Sequence, residues 1–324
     1  MTPRRRSLVL NLLFALVIIG GAGYAVLQHQ KLEDWWRLRN YSPPSSIVTL
    51  SDETTMTPES RHLFYVNHPA VEDKDAFYKS CQVTEKTAVL GCYAGNQGIF
   101  LLNVQDSQLN GVEEVTAAHE MLHAAYARLG ATEKTKIDSL LNQTYQQLND
   151  PRLNAKIALY KQSNADVTNE LHSILGTEEV KLPPALESYY KQYFTDRSKI
   201  TGYFTAYQSV LTAAQDTYNQ YKDQINNTVS QVNANNNELD TQSADLKTQQ
   251  AQLNSLRDGG DLAAYNSAVD GYNQKVQAFN DLVDQTQGLI NQYKSLQVQL
   301  NQAANAAQEL NQALDGRVTT RPTI

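Results

Sequence analysis

Thr116-Ala117-Ala118-His119-Glu120-Met121-Leu122-His123-Ala124-Ala125 sets two histidines four residues apart, with a glutamate directly after the first. Ala, Met and Leu are strong helix formers, and no Pro or Gly interrupts the run. On a helix, residues four apart share one face about one turn from each other. Two imidazoles so placed can both reach one tetrahedral zinc at about 2.1 Å. Glu120 projects to the neighbouring side, where its task is to take a proton from water rather than to bind metal. Val115, Ala118, Leu122, Ala125 and Leu129 recur at helical spacing and form a core-facing stripe. Only six histidines occur in the chain, so the placing of two of them around a glutamate in an apolar helix favours a metal site over accident.

Through this HExxH run the chain resembles the zincin metallopeptidases, over a segment from about Ala88 to Gly176. The resemblance implies zinc as cofactor, His119 and His123 as its ligands, Glu120 as the catalytic base and a protein or peptide as substrate. It also implies an α+β zincin-like domain, a small antiparallel β-sheet plus helices. Thr87–Tyr93 and Gly98–Val104 have strand-like composition around a turn at Ala94–Gly98. In proteins similar to zincins a strand in that place forms the edge along which an extended substrate pairs.

A catalytic zinc takes three protein ligands and keeps one position open. In the metzincin pattern the third is a histidine within HExxHxxGxxH, but Tyr126 and Leu129 occupy those positions here. Glu170-Leu171-x-Ser173-x-x-Gly176 resembles the third-ligand segment of some gluzincins, which points to Glu170 as the third ligand. An unpaired carboxylate on that apolar-faced helix would be costly. His172 and Glu178 are the alternatives. Related segments use a later acid to orient a histidine, but the position four after Glu170 is Ile174, so that partner must come from elsewhere. Glu113 and Glu114 read as carboxylates at a helix N-terminus. Tyr189, Tyr190 and Tyr193 are either transition-state donors or core aromatics.

The N-terminus sets the expected compartment. Arg4-Arg5-Arg6 precedes Ser7–Leu27, a nearly all-apolar run that would span about 31 Å as a helix, the thickness of a bilayer core. The arginines belong on the cytoplasmic side, so the rest of the chain is expected outside: a single-pass membrane protein with an extracytoplasmic catalytic domain. Gly23-Tyr24-Ala25 offers a signal-peptidase alternative, but the run is longer than a usual signal core. Trp35 and Trp36 follow at interfacial distance. Cys81 and Cys92 are the only cysteines, so one disulfide is expected, stabilising by roughly 2–3 kcal/mol.

Residues 28–56 read as a linker, with Ser42-Pro43-Pro44-Ser45-Ser46 and Ser51-Asp52-Glu53-Thr54-Thr55 as turn chemistry. Thr57-Pro58-Glu59 reads as a helix start. The catalytic domain is expected over 57–200, with helices at Thr132–Leu148, Asn154–Gln162, a short one ending at Gly176, and another after Pro183-Pro184. From there Tyr218, Ile225, Val232, Leu239, Leu246 and Leu253 recur every seven residues, and a second heptad run follows the turn at Arg257–Asp261. Residues 201–315 therefore predict an antiparallel α-helical coiled-coil hairpin, its seam weakened by Thr228, Asn235 and Gln242, followed by a tail at 316–324. The net charge of −7 gives no basic footprint for nucleic acid. The leading expectation is a membrane-anchored zinc endopeptidase. The competing one is a non-catalytic cell-envelope scaffold, with a structural zinc module and a hairpin that binds an envelope partner.

Overall fold

The motif run forms a helix that is buried on every side. Helix Val112–Ala127 has Val112, Val115–Ala118, Glu120–Tyr126 all inside, which is why the run lacks a polar face. Glu113 and Glu114 occupy its first turn, where the helix dipole favours them, and Glu113 accepts the Val104 N–H at 2.8 Å. Among the described residues, the segments Ser45–Glu53, Pro58–Val66, Gly91–Tyr93, Ile99–Leu102 and Val167–Thr177 all pack on this helix.

The computed structural model describes residues 29–81, 89–162 and 165–315. The expected basic tail 1–6, anchor 7–27 and C-terminal tail 316–324 lie outside the described residues, as do the first two residues of the strand expected from Thr87. Among the described residues no helix is long and apolar enough to cross a membrane. The protein is mostly helical, with a three-stranded sheet and a long C-terminal helix pair. In chain order the elements are α1 (His29–Leu38), α2 (Ser45–Glu53), α3 (Pro58–Val66), β1 (Ala70–Glu72), α4 (Lys74–Cys81), β2 (Gly91–Tyr93), β3 (Ile99–Leu102), α5 (Val112–Ala127), α6 (Ala131–Leu148), α7 (Pro151–Gln162), α8 (Val167–Thr177), α9 (Pro184–Tyr190), α10 (Arg197–Asp258) and α11 (Leu262–Ala313).

The sheet corrects the expectation of an antiparallel pair. Its order is β1-β3-β2; β2 pairs with β3 antiparallel, while β1 pairs with β3 parallel. Parallel neighbours need a crossover, and α4 with β2 supplies it. At three residues β1 is too short to show any alternation in the sequence. Cys81, at the end of α4, is disulfide-bonded to Cys92 in β2.

Residues 28–56 are a second correction. They carry α1 and α2 rather than a linker. Ile47, Leu50 and Ser51 of α2 are buried, and α2 packs on α5. Asp34 of α1 takes both guanidinium nitrogens of Arg128 at 2.8 Å, so α1 is tied to the residue that closes α5. The Pro and Ser residues that signalled a linker stand at a helix entry: Pro44 is the N-cap of α2. The expected start at Thr57 is right in its local detail, since Thr57 caps α3 by accepting the Ser60 N–H with Pro58 at the first position. The globular unit nonetheless begins well before it.

The described residues divide into two compact units, one that runs to Gln208 and resumes at Ala313, and one over Ser209–Gln312. Ile200, Phe204 and Tyr207, on the first turns of α10, are buried and belong to the first unit. The expected boundary at 200 therefore falls within one continuous helix. Inside the second unit, Asn235 donates to Thr286 at 3.1 Å, and Lys275 pairs with Asp245 at 2.7 Å. Residue numbers fall along α11 as they rise along α10, so the pair is an antiparallel hairpin. Asn235 thus meets a polar partner across the helix pair instead of leaving an unsatisfied amide.

Candidate metal centre

Two helices build the centre. The α5 backbone sets His119 and His123 one turn apart, their ring centroids 4.7 Å from each other. The partner helix α8 begins at Asp166, whose carboxylate accepts the N–H groups of Thr168 and Asn169 at 3.2 Å. That cap puts Asn169 and Glu170 in the first turn. Gly176, expected as the stop of this helix, stands one residue before its end and has a second role in packing. A Cβ there would stand 2.5 Å from Leu122 Cδ1 and 2.8 Å from Tyr190 Cε1. Glycine allows α8 to close on α5 and carry its first turn to the histidines.

The Glu170 carboxylate lies 3.8 Å from His119 Nε2 and 3.7 Å from His123 Nε2. Four ligands around a tetrahedral ion with bonds of about 2.1 Å are separated by about 3.4 Å. The Glu170 carboxylate thus sits a few tenths of an ångström outside the spacing that zinc imposes on a ligand beside each histidine, and the ligand atoms of the two histidines lie within 4.8 Å of each other. His123 Nδ1 is 2.9 Å from Asn169 Oδ1. An amide oxygen only accepts, so this contact holds the proton on Nδ1 and leaves the Nε2 lone pair facing Glu170. A neutral imidazole with an outward Nε2, a second imidazole and a carboxylate suit zinc in donor type and in spacing.

Asn169 supplies the orienting partner that the sequence left open. It is the residue beside Glu170, not one a turn later. Tyr160 was also missed; its hydroxyl hydrogen-bonds Glu170. Burial pushes the Glu170 carboxyl up, but the approach of His119, the positive charge that both histidines carry when protonated, and Tyr160 outweigh it and hold the group below the usual carboxylate range.

Glu120 is buried and lies in the same cluster, its carboxylate and the nitrogens of both histidines within 4.8 Å of one another. It sits against β2: a Cβ on Gly91 would meet Thr116 Cγ2 at 2.5 Å and Glu120 Cγ at 2.8 Å. Glycine at that strand position is the condition for α5 and its glutamate to lie so close to the strand.

The two other third-ligand candidates are engaged elsewhere. His172 is fully buried among Tyr126, Tyr189, Tyr190 and Tyr193. Its Nε2 is 2.9 Å from the Tyr189 hydroxyl, and its Nδ1 approaches the Leu122 carbonyl without hydrogen-bond geometry. Burial, then the charges of His123 and His119, push its pKa down to about 3. It is a neutral core imidazole. Tyr189, Tyr190 and Tyr193 form its cage together with Tyr126: Tyr190 donates to the His172 carbonyl at 2.7 Å, and the hydroxyls of Tyr189 and Tyr193 lie 3.1 Å apart.

Glu178 accepts from Arg152 at 2.5 Å and from Lys156 at 2.7 and 2.9 Å. Burial alone would raise its pKa, but Lys156, His119 and Arg152 reverse that and hold it below the usual range. A carboxyl depressed in the folded state contributes stability that is present above its unfolded pKa of about 4.3 and lost as pH falls through the folded value. Denaturant titrations at stepped pH are expected to show the wild type losing stability below about pH 4. Glu178→Gln should be less stable at neutral pH by about 1–3 kcal/mol and flatter in acid; the cost stays below that of a fully buried pair because Arg152 and Lys156 can rehydrate. An acid limb of unchanged slope in that variant would assign the pH dependence to other carboxylates.

No family model matches this chain, and no curated protein and no solved structure matches it.

Proposed function

We propose that the chain is a membrane-anchored, extracytoplasmic zinc-dependent endopeptidase. One observation carries the reading: the two motif histidines and Glu170, from separate helices, converge at ligand spacing with Glu120 buried beside them. His119, His123 and Glu170 would hold the ion, and Asn169 fixes the tautomer of His123. Bound zinc supplies a Lewis acid for the scissile carbonyl and lowers the pKa of its water to about 7. Glu120 takes the proton of the attacking water and delivers it to the leaving amine. β2 is an edge strand packed on α5, which suits it to pair with an extended peptide next to Glu120. The apolar run Ser7–Leu27 behind three arginines supports the anchor and the orientation.

The scaffold reading draws on the hairpin, whose long polar surface is suited to a protein partner. Metal analysis of the purified full chain in detergent, with a casein or peptide-library cleavage assay on the same sample, separates the two. The endopeptidase reading expects stoichiometric zinc, cleavage that stops with chelator and returns with zinc, and loss of both metal and cleavage when His119→Ala and His123→Ala are combined. Stoichiometric zinc with no cleavage of any peptide would favour the scaffold. Zinc retained by the double variant would remove the metal site itself.

A further inference from the structure

Helix α1 is packed inside out. On a helical projection Leu32, Trp35 and Trp36 share one arc of about 100°, while Asp34 and Arg37 lie on the other side. A surface helix of a globular domain turns its apolar arc inward. Here the polar side is the buried one. Asp34 is 8% exposed and holds Arg128 through both carboxylate oxygens. Arg37 donates to the carbonyls of Val66 and Asn96. The apolar side faces outward, with Leu32 52% exposed, Trp35 60% and Trp36 64%. Cations edge this face: the Arg39 guanidinium lies 4.4 Å over the Trp36 ring, and Lys31 borders the groove that also includes Trp35, Leu38, Arg39 and His62.

Two tryptophans and a leucine rimmed by Lys and Arg have the composition of a helix that lies in a membrane interface, rings at headgroup depth and cations toward anionic lipid. The chain also says which surface is near. The apolar run ends at Leu27, and α1 is described from His29 onward. If Ser7–Leu27 spans the bilayer, α1 emerges at the lipid surface with no linker between.

We infer that α1 is an interfacial docking helix: its Leu32–Trp35–Trp36 face beds in the outer headgroup region, and Lys31 and Arg39 engage anionic headgroups. The inference rests on the anchor reading given above. It also has a consequence for the candidate metal centre. The buried side of α1 grips Arg128, which lies five residues past His123, about 8 Å along the helix axis. Docking would hold the end of α5 close to the bilayer and favour polypeptide substrates near the membrane surface.

The chain contains only two tryptophans, both on this face, so tryptophan emission, excited at wavelengths its 18 tyrosines do not absorb, reports nothing else. The test reconstitutes the full chain in phosphatidylcholine–phosphatidylglycerol vesicles, with and without phosphatidylcholine brominated on its acyl chains. Expected are retention through alkaline carbonate extraction, emission shifted to shorter wavelength, loss of most emission to the brominated lipid, and little quenching by iodide. Trp35→Gln and Trp36→Gln, made singly, read each ring separately, and both remaining signals should behave alike. A chain that resists extraction but whose tryptophans are untouched by brominated lipid and open to iodide overturns the docking and leaves the anchor standing. Tryptophans shielded from iodide yet unquenched by brominated lipid overturn it in favour of a protein cover, such as a second copy. Release by carbonate overturns the anchor reading and the docking together.

Discussion

Glu120→Gln is expected to retain zinc at the wild-type level and to lose peptide hydrolysis by about 10²–10⁴-fold, the usual contribution of a positioned acid–base group. The substitution changes one atom and no volume. Glu120 is wedged between α5 and the β2 backbone at Gly91, where an altered shape would have no room, so an isosteric amide keeps the packing. It cannot accept the proton of the attacking water. The loss should therefore fall on kcat/KM through kcat, with metal content unchanged, both measured on one preparation with a fluorogenic peptide. Glu120 also lies close enough to both histidines to bind an ion with them, and the same experiment tells the roles apart. A variant that loses its zinc would make Glu120 a ligand. A variant with full zinc and full activity would show that the base is another group.

The readable parts of this chain are those fixed by local chemistry. Four-residue spacing on an uninterrupted helix is enough to bring His119 and His123 to one face. Two cysteines leave one intramolecular pairing, and Cys81 is bonded to Cys92. Thr57-Pro58 marks a helix start through the same hydrogen bond that the structure contains. The unread parts depend on partners far away in sequence. Arg128 lies 94 residues from the Asp34 it binds, so nothing near α1 announced that residues 29–38 belong to the domain. Helix α2 looked like coil because Ser and Pro mark entries and linkers alike, and only three of its nine residues are buried. The stop signal of Gly176 marks the end of α8 to within one residue, but its packing role, the close approach of Leu122 and Tyr190, exists only once α8 lies on α5. Asn169 was missed for the same reason: its hydrogen bond reaches across 46 residues to His123, and no spacing rule connects the two.

The assignment of Glu170 leads to a ranking. Zinc affinity, measured by competition with a chromogenic chelator, is expected to fall furthest in Glu170→Ala, by more than the roughly 10–100-fold typical of removing an orienting partner. Asn169→Ala should fall by about that smaller factor, because His123 keeps its place on α5 but loses the contact that fixes its tautomer. His172→Phe and Glu178→Gln should bind zinc nearly as the wild type does, since His172 faces a tyrosine cage and Glu178 an Arg–Lys pair. Both of those variants can lose stability without losing affinity, so the metal titration is run well below each variant's Tm. Folding and ligation are then read on separate axes. If Glu170→Ala keeps its zinc while His172→Phe or Glu178→Gln loses it, the third ligand is whichever of those proves indispensable. The convergence of α8 on α5 would then serve packing, with the Glu170–histidine contacts as its by-product. If Glu170→Ala alone empties the site, the closure that Gly176 permits is what turns two histidines on a helix into a three-ligand centre.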